Sequence, residues 1–138
     1  MMSVIAMKSA VASRYSTQYI LFNGLIDAFM NHKEEVNEII FGTDMLVLDE
    51  VGKEYKKVNQ FGQYDTSSNI ASYAKFVLEH VVKTRFDAGL ATFIITNYTS
   101  KEMDAIYGGS DSAISSVFCS HRTEKIYHTG FDFRGLNV

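Results

Sequence analysis

The chain has 138 residues, a net charge of −3, 46% apolar and 21% charged residues, and a single cysteine. That length buries a real core within one domain, and the acidic balance excludes a surface that is a nucleic-acid footprint throughout while leaving room for a local basic patch. Cys119 alone excludes an internal disulfide and a cysteine-rich zinc site, and it fits a reducing cytoplasm.

Taken in order, Ser3 to Tyr15 predicts a mostly buried helix with one polar edge, from Val4, Ile5, Ala6, Met7, Ala10, Val11 and Ala12. Lys8 and Arg14 interrupt its apolar character, so a helix fits better than a signal peptide. No run reaches the roughly 18 apolar residues of a bilayer span, and no membrane association is expected. Gln18 to Phe22 reads as a short strand closed by a turn at Asn23-Gly24. Leu25–Met30 and Glu34–Phe41 both show helical spacing and predict two short helices hinged near Asn31-His32. Met45 to Leu48 is an unbroken apolar run, the pattern of a strand buried on both faces. Lys53 to Asn69 is polar and irregular, ending in a helix-capping cluster. Ile70 to Phe86 steps by three and four and predicts the longest helix, stopped by Ala88-Gly89. Leu90 to Thr96 is a second buried strand, landing on Asn97. Ser100 is the expected cap of a helix over Lys101–Tyr107, Ser112–Cys119 predicts another helix, and Lys125–His128 a last strand. With no proline in the chain, these boundaries rest on Gly, Asn, Asp and Ser. Strands alternating with helices predict an α/β fold with a mostly parallel sheet flanked by helices.

The first buried strand runs into Asp49-Glu50 and then Gly52, and the second into Thr96-Asn97. In a parallel sheet both ends lie on the same side, where open α/β sheets bind ligands. An acidic pair there suits phosphate chemistry: the first carboxylate for Mg²⁺, the second to polarise the attacking water, with a nearby amide to orient that water. The plainer alternative is a core strand ending in a solvated acidic turn. The four histidines, His32, His80, His121 and His128, show no ligand spacing. No G-x-S-x-G elbow supports a serine hydrolase.

In order along the chain, DMLVLDEVG, a helix ending in KTRFDAG, LATFIITNYTSKEMDAIYG and KIYHTGFDFR together resemble the C-terminal part of a DnaC/IstB-type AAA+ ATPase core, the type found in bacterial and phage helicase loaders. The likeness runs from about residue 3 to residue 134 and implies a single partial AAA+ domain over 1–138, an incomplete P-loop NTPase core. It implies ATP and Mg²⁺ as cofactors, with Asp49 coordinating the metal, Glu50 as the catalytic carboxylate (Walker B), Asn97 as sensor 1 with Thr96 beside it, and Arg134 as the sensor-2 arginine. A guanidinium suits that last role because its fork meets phosphate oxygens with two donors. The implied partners are a replicative helicase or other AAA+ subunits, in DNA replication.

Two departures stand out. No stretch reads G-x-x-x-x-G-K-[ST], the loop whose backbone N–H groups and lysine hold the β- and γ-phosphates; Ser3 stands near where its closing Ser/Thr would be. The family's arginine finger should stand near Ser116, and Arg122 is the alternative. The chain therefore carries the hydrolysis half of an ATPase site without the binding half. That matches a fragment or split product, a degenerate binding module, or a start assigned too late, and on its own the chain is expected not to hold nucleotide. Such a sheet exposes an open edge and calls for a partner chain. Lys53, Lys56 and Lys57 with Tyr55, Phe61 and Tyr64 offer charge and stacking surfaces for single-stranded DNA, or form a solvated loop. Arg85 serves a subunit interface or packs its stem, and Cys119 is a small core residue. Two functions follow: an ATPase of the helicase-loader type, or a nucleotide-silent module that binds a helicase or a full-length ATPase.

Overall fold

The apolar runs close into a sheet with helices against it. The structure, a computed structural model, describes residues 2–55, 69–107, 112–118, 120, 123, 124 and 126. In chain order the elements are α1 (Met2–Ala12), β1 (Thr17–Leu21), α2 (Phe22–Asn31), α3 (Lys33–Phe41), β2 (Met45–Asp49), α4 (Asn69–Asp87), β3 (Ala91–Ile94), α5 (Ser100–Tyr107) and α6 (Ala113–Phe118). The three strands form a parallel sheet in the order β1-β2-β3, with Leu21 opposite Asp49 and Leu48 opposite Ile94. The fold is α/β, as the alternation of strand and helix patterns predicts.

β2 is the centre of the sheet, and Leu46, Val47 and Leu48 are fully buried. Side chains alternate between faces, so Leu48 joins Ile20 and Ile94 in the main core, under Ala71, Ala74, Val77, Leu78, Val81 and Val82 of α4. Tyr19, Val47 and Asp49 belong to the other face, where α1 lies against β1 and β2. The helix hinge falls at His32, whose non-helical backbone (φ −133°, ψ 56°) separates α2 from α3. α4 ends as expected, with Gly89 in the left-handed region (φ +71°).

Two local expectations need correction. Asn23-Gly24 is not a turn: α2 begins at Phe22, directly after the extended Leu21. A helix here buries Phe22, Leu25, Ile26 and Ala28 on one face, which outweighs the roughly 1 kcal/mol that Gly24 costs within it. The cap of α5 is Thr99, not Ser100. Thr99 Oγ1 accepts the Glu102 N–H at 3.3 Å while the Glu102 carboxylate accepts the Thr99 N–H at 2.9 Å, a reciprocal capping box.

Of the two alternatives for Arg85, the structure favours packing, and the buried head goes beyond the stem alone. Arg85 lies near the end of α4 with none of its surface exposed, so it offers nothing to a subunit interface. Its guanidinium donates to the carbonyls of Ile40, Thr43 (3.0 Å), Asp44 (3.2 Å) and Ala91 (2.8 Å), and Nε donates to Thr92 Oγ1 (3.2 Å). One side chain thus ties the end of α3 to the starts of β2 and β3. Burial pulls its pKa below the ordinary guanidinium value, and the charge of Asp44 opposes that shift. The strand expected over Lys125–His128 lies outside the described residues except for Ile126, which is exposed. No helix among the described residues is long and apolar enough to cross a membrane.

Candidate functional site at the carboxyl edge of the sheet

The turn after β2 carries the acidic pair. Asp49 closes the strand on the α1 face, and its Oδ1 accepts the backbone N–H of Glu50 at 2.7 Å. Its Oδ2 accepts the hydroxyl of Tyr19, which reaches across from β1. That hydrogen bond, followed by burial and the charges of Asp49 and Glu50, pushes the Tyr19 pKa up to about 12, so the phenol stays a donor at any physiological pH.

Glu50 is in the left-handed region (φ +62°), uncommon for a residue with a Cβ. The conformation turns the chain sharply off the strand, and the half-exposed carboxylate pairs with the Lys53 ammonium. Gly52 follows at φ +101°, with the ring of Tyr98 against it: a Cβ there would lie 2.4 Å from Tyr98 Cε2. Only glycine satisfies both the backbone angle and the contact.

The turn is fastened to the end of β3. Val51 N–H donates to the Ile95 carbonyl at 3.1 Å, and Thr96 Oγ1 donates to the Val51 carbonyl at 2.8 Å. Thr96 Oγ1 also accepts the Tyr98 N–H at 3.2 Å and lies 3.7 Å from Met103 Sδ. The Thr96 hydroxyl is thereby committed to joining the two strand ends. Asn97, next in sequence, is exposed at the same edge. Asp49, Glu50, Thr96 and Asn97 therefore do share one end of the sheet.

A second set of residues supports the turn and was not foreseen. Glu54 accepts the Tyr107 hydroxyl at 2.8 Å and the Gly52 N–H at 3.2 Å. Burial raises the Glu54 pKa above the ordinary carboxylate value, and these hydrogen bonds offset part of the rise. The Tyr107 pKa is also raised, first by burial and then by the charge of Glu54. Tyr107 packs edge-on against Tyr55, whose hydroxyl donates to the Ala71 carbonyl at 3.0 Å. The only sequence signal for this link is spacing: Glu54 stands four residues after Glu50, and Tyr107 closes the apolar face of α5.

Other expected residues divide. Ser3 falls in the first turn of α1, and Ser116 is exposed on α6. Arg134, Arg122, Cys119, Lys56, Lys57, Phe61 and Tyr64 lie outside the described residues.

The donor set at Asp49 fits Mg²⁺. A carboxylate offers about four lone-pair sites, of which Tyr19 and the Glu50 N–H take two here. Mg²⁺ commonly uses one or two carboxylates and completes its shell with water and phosphate oxygens. The nucleotide's phosphates are not matched in the same way, since the sequence contains no glycine-rich lysine loop to cradle them.

No protein-family model and no curated protein matches the chain. Among solved structures it is similar to a DNA replication initiation factor, with 19% identity and a TM-score of 0.54 over 82% of this chain. That likeness is one of fold: a parallel sheet flanked by helices. This chain spans 31% of the length of that protein.

Proposed function

We propose that this chain is the carboxylate-bearing part of an AAA+ ATPase core of the DnaC/IstB helicase-loader type, acting in DNA replication. The observation that carries the reading is the acidic pair at the carboxyl end of the central parallel strand, laced to the end of the neighbouring strand that carries Asn97. The fold likeness to a DNA replication initiation factor supports it. In this reading Asp49 holds Mg²⁺, which would neutralise phosphate charge when bound. Glu50 accepts a proton from water, Asn97 orients that water, and Arg134, outside the described residues, is the sensor-2 arginine. Thr96 serves by locking the two strand ends together. The phosphate cradle comes from a segment outside this sequence, and a replicative helicase or other AAA+ subunits, with single-stranded DNA, are the partners.

The test is to supply a glycine-rich lysine loop, fused or as a separate fragment, and to measure ATP hydrolysis. Activity that appears on complementation and falls at least about 100-fold in Glu50→Gln supports the reading, a loss typical of removing a catalytic base. A complemented, folded protein that hydrolyses nothing refutes it.

A nucleotide-silent interaction module is the second reading. The engagement of both carboxylates, Asp49 by Tyr19 and Glu50 by Lys53, favours it. It requires binding to a helicase or a full-length ATPase that is unchanged in Asp49→Asn and Glu50→Gln; loss of binding in either variant counts against it.

A further inference from the structure

Tyr19 has no part in the chemistry assigned above, yet its hydroxyl ends on the carboxylate that does. β1 and β2 run parallel, with Tyr19 opposite Val47 and Leu21 opposite Asp49. Alternation puts Tyr19, Val47 and Asp49 on one face. To meet Asp49, the Tyr19 side chain crosses to the next strand and covers one two-residue step along it, about 6–7 Å. Among hydroxyl-bearing side chains only a phenol is long enough; serine and threonine stop short. The contact is made, with the Tyr19 hydroxyl donating to Asp49 Oδ2.

Packing does not account for that hydroxyl. Tyr19 is 44% exposed and belongs neither to the main core nor to the residues packed against it. Its ring borders a groove under α1 that Met7, Lys8, Val11 and Thr17 also line, where phenylalanine would serve as well. What the hydroxyl changes is the freedom of Asp49. The terminal torsion of an aspartate is broad and roughly two-fold, and the Glu50 N–H on Oδ1, at 2.7 Å, pins only one oxygen. With Tyr19 on Oδ2 both oxygens are held and the carboxylate plane is fixed. A carboxylate has about four lone-pair sites, so one on each oxygen stays open.

We infer that Tyr19 is the positioning residue of the cation site: its hydroxyl fixes the plane of the Asp49 carboxylate and presets the open lone pairs for a divalent cation. Cation affinity then depends on a β1 residue that never touches the ion. The inference rests on the reading of Asp49 as the Mg²⁺ carboxylate. Outer hydrogen bonds of this kind orient a ligating group before the ion arrives, and losing one typically costs about 10–100-fold in metal affinity.

The probe is Mn²⁺ alone, titrated into the full chain and followed by electron paramagnetic resonance, with urea midpoints measured alongside. Wild-type protein binds the ion and Asp49→Asn does not. Tyr19→Phe binds it about tenfold or more weakly at an unchanged urea midpoint. Thr17→Val, on the same face of β1 but one step further from Asp49, binds as wild type does. In protein complemented with a glycine-rich lysine loop, Tyr19→Phe raises the half-saturating Mg²⁺ for hydrolysis by the same factor and keeps the rate at saturating Mg²⁺. If Tyr19→Phe binds Mn²⁺ as tightly as wild type or more tightly, while Asp49→Asn loses it, the inference is overturned and the metal reading of Asp49 stands. Mn²⁺ binding that is absent from wild type, or that survives Asp49→Asn, overturns that reading and the inference with it. An equal loss in Thr17→Val, or a loss that tracks a fall in urea midpoint, assigns the effect to a loosened β1 and overturns the positioning role.

Discussion

Replacing Arg85 by methionine keeps most of the side chain's bulk and deletes the charge and its donors. Five acceptors lose their partner: four main-chain carbonyls, of Ile40, Thr43, Asp44 and Ala91, and the Thr92 hydroxyl. A buried acceptor left unpaired costs about 1–3 kcal/mol, but carbonyls that keep a ladder or helix bond on the second lone pair lose less. Removing the cost of burying the guanidinium returns part of the loss. The balance is a destabilisation of about 3–5 kcal/mol, a large share of the roughly 5–15 kcal/mol that holds a domain together. Urea unfolding followed by circular dichroism measures it. With a slope of about 1–3 kcal/mol per M, the midpoint should fall by about 2 M at unchanged slope. Arg85→Lys should lose at least half as much, because an ammonium has three donors at one point and cannot span β2 and β3. A loss below about 1 kcal/mol in Arg85→Met, or wild-type stability in Arg85→Lys, would refute the account of this side chain as the tie between α3, β2 and β3.

Three further outcomes are expected. Gly52→Ala should destabilise by about 2–3 kcal/mol, combining an unfavourable φ with the Tyr98 contact, and Tyr98→Ala should restore part of that loss in the double variant; an additive double variant contradicts the contact. Glu54 has a folded pKa above its ordinary 4.5, so its contribution to stability is fully present below about pH 4.5 and is lost as pH rises through the raised value. Glu54→Gln should remove that decline from a stability-versus-pH series and still accept the Tyr107 hydroxyl; a parallel profile in the variant argues against burial as the cause. Glu50→Asn should stabilise by about 0.5–1 kcal/mol, because asparagine tolerates the left-handed region and the exposed Lys53 pair is worth little; thermal melts that move downward would exclude backbone strain there.

The elements most legible in the sequence were those whose pattern and burial coincide. Met45–Leu48 reads as a buried strand because nothing polar interrupts it, and α4 reads as a helix because Ala74, Val77, Leu78, Val81 and Val82 repeat on one face. Asn23-Gly24 misleads, since a turn dipeptide is a local preference and the burial of Phe22 and Leu25 is a tertiary one. Arg85 was legible only in part: its place in the apolar steps of the helix allows packing, but arginine is almost always exposed, and only the meeting of α3, β2 and β3 supplies the carbonyls that hold its head inside. The position of the acidic pair at the end of β2 was legible, but its surroundings were not. Tyr19 reaches Asp49 across 30 residues of chain and Tyr107 reaches Glu54 across 53, and no short motif encodes such distances; only the Lys53 pair with Glu50, three residues away, is local.

Those contacts change what the acidic pair means. A solvated turn would leave Asp49 and Glu50 free to move and would gain nothing from a left-handed Glu50, which costs about 1–2 kcal/mol. Here the main chain on either side is fixed: by Tyr19 and the Glu50 N–H on Asp49, by Ile95 and Thr96 on Val51, by Glu54 and the Tyr98 ring at Gly52. A strained residue persists only where its surroundings over-determine it, and this one is held from β1, β3 and its own turn at once. Such a scaffold gives one carboxylate a fixed direction and leaves the next half-exposed, with the Lys53 ammonium as its counter-charge. That is a turn fixed from several elements at once, not a strand that simply runs out into solvent.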